Sequence, residues 1–166
     1  QLKPKKGAII EIAKEHALFN TNKEYNKESS KLEELQGLSQ DFIYTPEQGN
    51  EVGIHNGAHY FTIGQRKGIN VGGNVEPLFV IDTDTESNII YVGQGTNHPG
   101  LYRSGLKVPN EDVHWVRKDL KLKNGETLKV SSRIRYRQAL EEATLNQKED
   151  GLYIVFRNKQ RGIAPG

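Results

Sequence analysis

The sequence contains no cysteine, and this absence removes several kinds of chemistry at once. Without a thiol, the 166 residues form no disulfide, offer no thiolate to a metal and supply no cysteine nucleophile. Long apolar runs are also lacking. No stretch approaches the ~18 apolar residues of a membrane span, and residues 1–6 carry no apolar segment of a secretion signal. We therefore expect a cytoplasmic protein without a membrane partner.

Apolar residues are scarce, at 34% of the chain against 27% charged residues, and the mean hydropathy is −0.71. The length suits one domain or two small ones, because domains most often hold about 100–150 residues. Basic charge is concentrated locally. Residues 117–137 contain eight Lys or Arg and two acidic residues, whereas the whole chain has a formal net charge of +2. A local basic stripe is typical of a phosphate-binding face, although solvated turns give the same count.

Short strand-like runs, separated by Gly, Asn, Asp or Pro, dominate the chain. They lie at residues 7–12, 52–54, 58–63, 77–82, 87–92, 112–116, 127–138, 143–146 and 151–156. Many short strands at close spacing favour an all-β barrel or sandwich over βαβ units. The loop-rich stretch 93–100 predicts a domain boundary, with residues 1–95 in one domain and 96–166 in the next.

Residues 20–48 differ from their surroundings, because they are rich in Lys, Glu, Asn and Ser. Leucines at spacing three (Leu32, Leu35, Leu38) predict one short helix, and a Ser–Glu spacing at residues 29–34 resembles a capping box. Gly37 is expected to interrupt or end this helix. We interpret the segment as an exposed insertion, with partial disorder as the alternative.

The strongest signal for a partner is the segment of residues 133–137, Arg-Ile-Arg-Tyr-Arg. As a strand, it would place three arginines on one face at steps of about 6.6 Å, where they suit phosphate recognition. The alternative is a solvated strand whose arginines pair with neighbouring acids. The residues concerned are Arg133, Arg135 and Arg137, and the acids are Glu126, Glu141 and Glu142.

Residues 60–73 predict a β-hairpin whose tip, residues 64–68, holds Arg66 and Lys67 between glycines. Such a tip could present N–H groups and two cations to a phosphate, or simply expose solvated cations. It lacks the helix that follows a P-loop, so we expect no ATP site in this chain.

Other candidate sites are weaker. As an extended strand, His55 and His59 would lie about 13 Å apart, so we expect structural or surface histidines and no metal site. Trp115 is expected in or beside a core, with base stacking as a minor alternative. We find no nucleophile, base and orienting group that would form a catalytic constellation, so no catalytic residue is predicted.

Several stretches together resemble the tRNA-specific 2-thiouridylases, over residues 3–166. They are residues 57–73, 76–80, 92–101, 113–117 and 133–138. The resemblance implies a small central β domain (1–95, with the insertion at 20–48) followed by a C-terminal antiparallel β-barrel (96–166) similar to elongation-factor barrels. Because residues 162–166 end in a turn signal, we expect this barrel to be truncated.

The resemblance also implies a function. Family members place sulfur on the 2-position of the wobble uridine in tRNA. An N-terminal pyrophosphatase domain uses ATP, expected with Mg, and two cysteines handle the sulfur. This chain has neither feature, so we expect it to hold no cofactor and to be inactive alone, with tRNA, the missing domain and a sulfur-donor protein as partners.

The family's Arg-Tyr contact to tRNA matches Arg135 and Tyr136, and Arg133 and Arg137 would add phosphate attraction. Arg66 and Lys67 are further candidates for RNA contact or for docking the missing domain. Two alternatives remain open: a stand-alone RNA-binding β-barrel of translation, and a protein-docking module.

Overall fold

The computed structural model describes residues 3–20 and 23–164, and strands dominate it. The strands are β1 (Gly7–Glu11), β2 (Asn50–His55), β3 (Leu78–Asp84), β4 (Ile89–Gln94), β5 (Tyr102–Val108), β6 (Thr127–Ser132), β7 (Glu141–Lys148) and β8 (Gly151–Arg161). The helix α1 spans Leu32–Ser39, and 3₁₀ turns lie at Ala17–Phe19, Pro46–Gln48, Ala58–Tyr60, Pro99–Leu101, Asn110–Asp112 and Lys118–Leu120. The all-β class is confirmed.

The strands form two four-stranded sheets, ordered β2-β1-β4-β3 and β5-β8-β7-β6. Each sheet belongs to its own compact unit. The first unit takes the described residues of 1–22, 42–102 and 161–166, and the second takes those of 23–41 and 103–160. The predicted domain boundary after residue 95 stays a prediction. The predicted barrel truncation rests partly on Pro165 and Gly166, which lie outside the described residues. No helix within the described ranges is long and apolar enough to cross a membrane.

The first sheet is buried on both faces, which explains the continuous apolar runs in β3 and β4. Successive strand residues point to opposite faces, so each run supplies two cores. One core contains Ile9, Ala58, Ile69, Leu78, Val80, Ile90 and Val92. The other contains Ile10, Ile12, Tyr44, Phe79, Ile81, Tyr91 and Leu101.

Buried polar side chains fix the chain just after β2, where the segment that covers the first of these cores begins. His55 Nδ1 accepts a hydrogen bond from Gly57 N at 2.9 Å, so its Nε2 donates to Asn88 O at 3.1 Å. Asn88 Oδ1 accepts from Ala58 N at 3.0 Å. Burial lowers the pKa of His55, against the opposing effect of its hydrogen bonds to main-chain carbonyls. His55 is therefore a structural histidine.

The second unit includes the helix predicted within the insertion. Leu35 of α1 is fully buried against Tyr153 and Val155 of β8, and Leu38 packs beside them. The helix prediction is confirmed, but the segment is more than an exposed insertion, because it supplies part of this unit's core. The predicted capping box is wrong, since the N-cap is Lys31 and its side chain makes no capping hydrogen bond.

The alternation of apolar and polar residues gives the wrong secondary structure for three segments of the chain. Residues 58–63 and 112–116 form 3₁₀ turns and irregular chain, although their alternation suggested strands. In contrast, β5 has no strand-like signal, because the run Tyr102–Val108 mixes Arg, Ser, Gly and Lys with few apolar residues. β5 is a strand because it pairs with β8, and the residue pattern of β5 alone does not reveal this pairing.

Gly37 lies inside α1, where a Cβ would overlap the ring of Tyr25. We expect Gly37→Ala to destabilise the chain by about 1–3 kcal/mol through overpacking, despite alanine's better helix propensity. Thermal or urea unfolding measures this change. Gly72→Ala is the matched control, because no atom lies within 4 Å of its added Cβ. If the Gly37→Ala chain were as stable as the control, the close contact between Gly37 and Tyr25 would be wrong. Adding Tyr25→Leu to Gly37→Ala should restore part of the lost stability, because it removes the ring.

His98 predicts a pH dependence of stability. Its fully buried ring accepts from Gly100 N at 3.0 Å through Nδ1 and contacts Ile12 O through Nε2 at 2.9 Å. Burial lowers the pKa of His98, so the unfolded state binds its proton more readily. This stabilisation is complete above the unfolded pKa of about 6.5 and is lost as pH falls toward the folded value.

We therefore expect the melting temperature to fall as pH drops below about 6.5, because the unfolded state then takes up the His98 proton more readily than the folded state does. His98→Gln should make that fall smaller, whereas substitution of the exposed His59 should not. An unchanged fall in His98→Gln would contradict the assignment.

Candidate nucleic-acid interface

Residues 133–138, the arginine loop, connect β6 to β7. The predicted strand 127–138 is correct only as far as Ser132, which pairs with Glu141 in the antiparallel ladder. Beyond that pair the chain reverses, and Gln138 N donates to Arg135 O at 3.0 Å to close a turn. The expected row of arginines on one strand face is therefore wrong. Reversal between paired strands overrides the Arg-Ile-Arg-Tyr-Arg alternation, which predicted a longer strand.

The arginine loop projects its charged side chains into solvent. Arg133, Arg135 and Arg137 are all exposed, and Tyr136 is 86% exposed. Arg133 Nη1 donates to Tyr136 O at 3.0 Å, and its guanidinium carbon lies 5.4 Å from the centre of the Tyr136 ring. One arginine thus holds the tyrosine in place, and the loop presents an accessible aromatic face among cations.

The acids that were expected as alternative partners of these arginines have other contacts. Glu142 forms an ion pair with Arg157 at 2.7 Å, and Glu141 accepts from Asn158 Nδ2 at 2.7 Å. Glu126 accepts from Lys123 N at 2.7 Å. Each of these three carboxylates therefore has a contact outside the arginine loop.

The glycine-flanked segment, residues 64–68, forms two turns instead of the predicted hairpin tip. Its main chain bonds to β3, because Gly64 N donates to Val80 O at 2.7 Å and Val80 N donates to Gln65 O at 2.9 Å. Gln65 N donates to Thr62 O at 3.0 Å. The N–H groups of Gly64 and Gln65 are therefore used within the first unit.

Arg66 and Lys67 nevertheless remain exposed. Gln65 explains how the main chain beneath them is fixed: its side-chain oxygen accepts from Thr62 N at 3.1 Å, and its amide nitrogen donates to Lys67 O at 2.7 Å. Arg66 also lines a cleft of about 380 Å³ whose wall includes the glycine pair Gly72 and Gly73. This cleft belongs to the first unit, while the arginine loop belongs to the second.

Trp115 lies partly buried beside a smaller cleft of the second unit, about 270 Å³ in volume, together with Lys121 and Asn124. The rings of His59 and Tyr60 contact each other in a tilted arrangement, with ring centres 4.0 Å apart, and both residues are exposed. Among the described residues, no three His, Asp or Glu side chains are grouped as a metal site would require.

Asn88 is the residue that sequence reasoning missed. It adopts a left-handed conformation, with φ of 57°, and its amide joins Ala58 N to Lys5 O. An asparagine after a charged turn gives a weak signal, since αL asparagines are common in turns. Its contacts across 30 and 83 residues have no local signature.

The fold and the arginine loop define an all-β protein with a basic, aromatic-bearing surface suited to a polyanion. Two family models match the chain: a tRNA methyl transferase PRC-barrel domain over residues 30–94 and an aminomethyltransferase beta-barrel domain over residues 105–166.

Similar proteins agree with these matches. The chain is 51% identical to a protein of Flavobacterium johnsoniae and 49% identical to one of Christiangramia forsetii, each named tRNA-specific 2-thiouridylase MnmA. A protein of Karelsulcia muelleri with the same name is 42% identical. All of this chain is covered in each case, but the chain spans only 42%, 42% and 40% of those relatives. The chain belongs to the tRNA-specific 2-thiouridylase family, of which it represents the central and C-terminal domains.

Proposed function

We propose that this chain is the tRNA-binding portion of a longer, ATP-dependent enzyme that thiolates the 2-position of the wobble uridine. The observation that carries the proposal is the arginine loop, with three exposed arginines around a tyrosine that is 86% exposed. Guanidinium groups bind phosphate through paired N–H donors, and an exposed aromatic ring stacks on unpaired bases. Such a surface suits single-stranded or looped RNA better than it suits a neutral protein partner.

The bond-making steps belong, in this proposal, to parts of the enzyme outside these 166 residues. The chain has no cysteine to carry sulfur, and Gly64 and Gln65 use their N–H groups internally. ATP with Mg, and the transfer from a sulfur-donor protein, would be handled by an N-terminal pyrophosphatase domain. The chain alone would be inactive. With tRNA as its substrate, the enzyme would act in the cytoplasm.

Within the arginine loop, the residues take different roles. Arg135 and Arg137 contact phosphates, and Tyr136 stacks on a base. Arg133 contributes charge and also fixes the tyrosine through its bond to Tyr136 O. Because the loop is tied to the β6–β7 ladder at Ser132 and Glu141, little ordering is needed on binding.

Arg66 and Lys67 would provide a separate contact, either to RNA or to the missing domain. Their support is their exposure and the Gln65 bonds that fix the turn beneath them.

The double substitution Arg135→Ala with Arg137→Ala tests the phosphate contacts. We expect tRNA binding by the 166-residue chain to weaken, and the slope of log K against log salt to fall by about 0.7–0.9 for each phosphate that is no longer bound. Filter binding between about 50 and 200 mM salt measures both quantities. Arg117→Ala is the matched control, because this exposed arginine is already paired with Asp119 and lies outside the arginine loop. Equal slopes in the double variant and in the unaltered chain would remove these arginines from the interface.

Tyr136 tests the stacking contact independently of charge. Tyr136→Ala should raise the Kd for tRNA about 5- to 150-fold, since stacking on one base is worth roughly 1–3 kcal/mol. Tyr136→Phe keeps the ring and should bind almost normally, and neither change should alter the salt slope. A phenylalanine variant as weak as the alanine variant would instead indicate a hydroxyl contact.

A further inference from the structure

The end of β8 contacts both the arginine loop and the insertion. Gln138, which closes the loop, donates through Nε2 to Gln160 Oε1 of β8. Asn158 Nδ2 donates to Glu141 Oε1 at 2.7 Å, which ties β8 to the first residue of β7. These two bonds fix residues 157–160 beside the arginine loop.

Alternation along β8 separates two sets of side chains in this region. Asn158 and Gln160 point toward Glu141 and Gln138, so Arg157 and Lys159 share the opposite side of the strand, about 7 Å apart. Both are exposed. Lys159 precedes Gln160, which contacts the loop residue Gln138, but the Lys159 side chain lies on the face of β8 opposite Gln160.

The insertion brings a further cation to the same place. Lys27 Nζ donates to Arg157 O at 3.1 Å, which uses one of its three N–H donors. Its main chain is held as well: Asn26 N donates to Glu34 of α1 at 2.7 Å, and Glu28 N donates to Asn26 Oδ1 at 2.9 Å. Lys27 is thus held in place by its neighbours, and its ammonium group has N–H donors beyond the one that bonds Arg157 O.

The resulting surface, which we name the cationic end, has more cations than carboxylates. Its six cations are Lys27, Arg133, Arg135, Arg137, Arg157 and Lys159. Four carboxylates accompany them: Glu28, Glu34, Glu141 and Glu142. Glu142 and Glu141 are bonded to Arg157 and Asn158, so they cancel little of the charge of the loop or of Lys159.

We propose that Lys27 and Lys159 are additional phosphate-contacting residues, so that RNA is held across the whole cationic end and not by the arginine loop alone. This inference rests on the proposed function and gives the insertion a role in it. A row of cations fixed to a sheet end and a helix follows a nucleic-acid backbone at little entropic cost.

The test compares Lys27→Gln and Lys159→Gln with Lys148→Gln in the 166-residue chain. Lys148 is the matched control, because it lies at the other end of β7, roughly 24 Å from Glu141 along the strand. Each of the first two changes should lower the salt slope of tRNA binding by about 0.7–0.9 and weaken binding about five- to eight-fold at about 0.1 M salt. The control should change neither quantity. Lys27→Arg, which keeps the charge, should retain binding.

The outcomes separate this inference from the proposed function. If the arginine-loop double variant has a smaller slope while Lys27→Gln and Lys159→Gln match the control, the extended surface is wrong and RNA binding by the loop stands. If Lys148→Gln weakens binding equally, the effect is one of net charge and the inference is overturned. If no variant, including the double variant, alters the slope, both proposals fail. Thermal unfolding checks whether the Lys27→Gln chain is folded. If it is not folded, the salt slope of Lys159→Gln alone tests the extended surface.

Discussion

Two main-chain hydrogen bonds at Val80 connect the sheet of the first unit to the segment that covers it. They join the edge strand β3 to Gly64 and Gln65, and so fix the segment that covers one face of the sheet. Val80 itself is fully buried in the core that this segment closes. Since β3 and β4 are apolar on both faces, the sheet needs a cover on each side. The most distinctive sequence of the chain, residues 60–73, serves this purpose, and its cations lie on the outer surface of a structural cover.

Hydrogen bonds within the glycine-flanked segment fix its own two turns as well. Gly64 N donates to Val80 O and Gln65 N donates to Thr62 O, while the Gln65 side chain accepts from Thr62 N and donates to Lys67 O. Gly64 and Gly68 have positive φ angles of 88° and 87°, which favour glycine at both positions.

In the second unit, one end of the sheet forms an exposed, charged surface. The β6–β7 reversal places arginines where no neighbouring strand covers them, and the nearby carboxylates are used by β8. The insertion contributes the buried Leu35 from its helix, and Lys27, which precedes the helix, is hydrogen-bonded to Arg157 O. A segment whose composition is that of a solvated loop therefore contributes both to the core and to the charged surface.

The sequence by itself determined the all-β class, the helix of the insertion, every strand except β5 at least in part, and the family, because apolar runs, leucine spacing and motif order are local properties. The tertiary structure decided the rest. Arg133, Arg135 and Arg137 lie in a reversal because Ser132 pairs with Glu141, and β5 is a strand because β8 lies beside it. His55 and Asn88 meet across 33 residues, and Lys27 reaches Arg157 across 130. Contacts at such separations depend on which strands pair, and no local pattern encodes that choice.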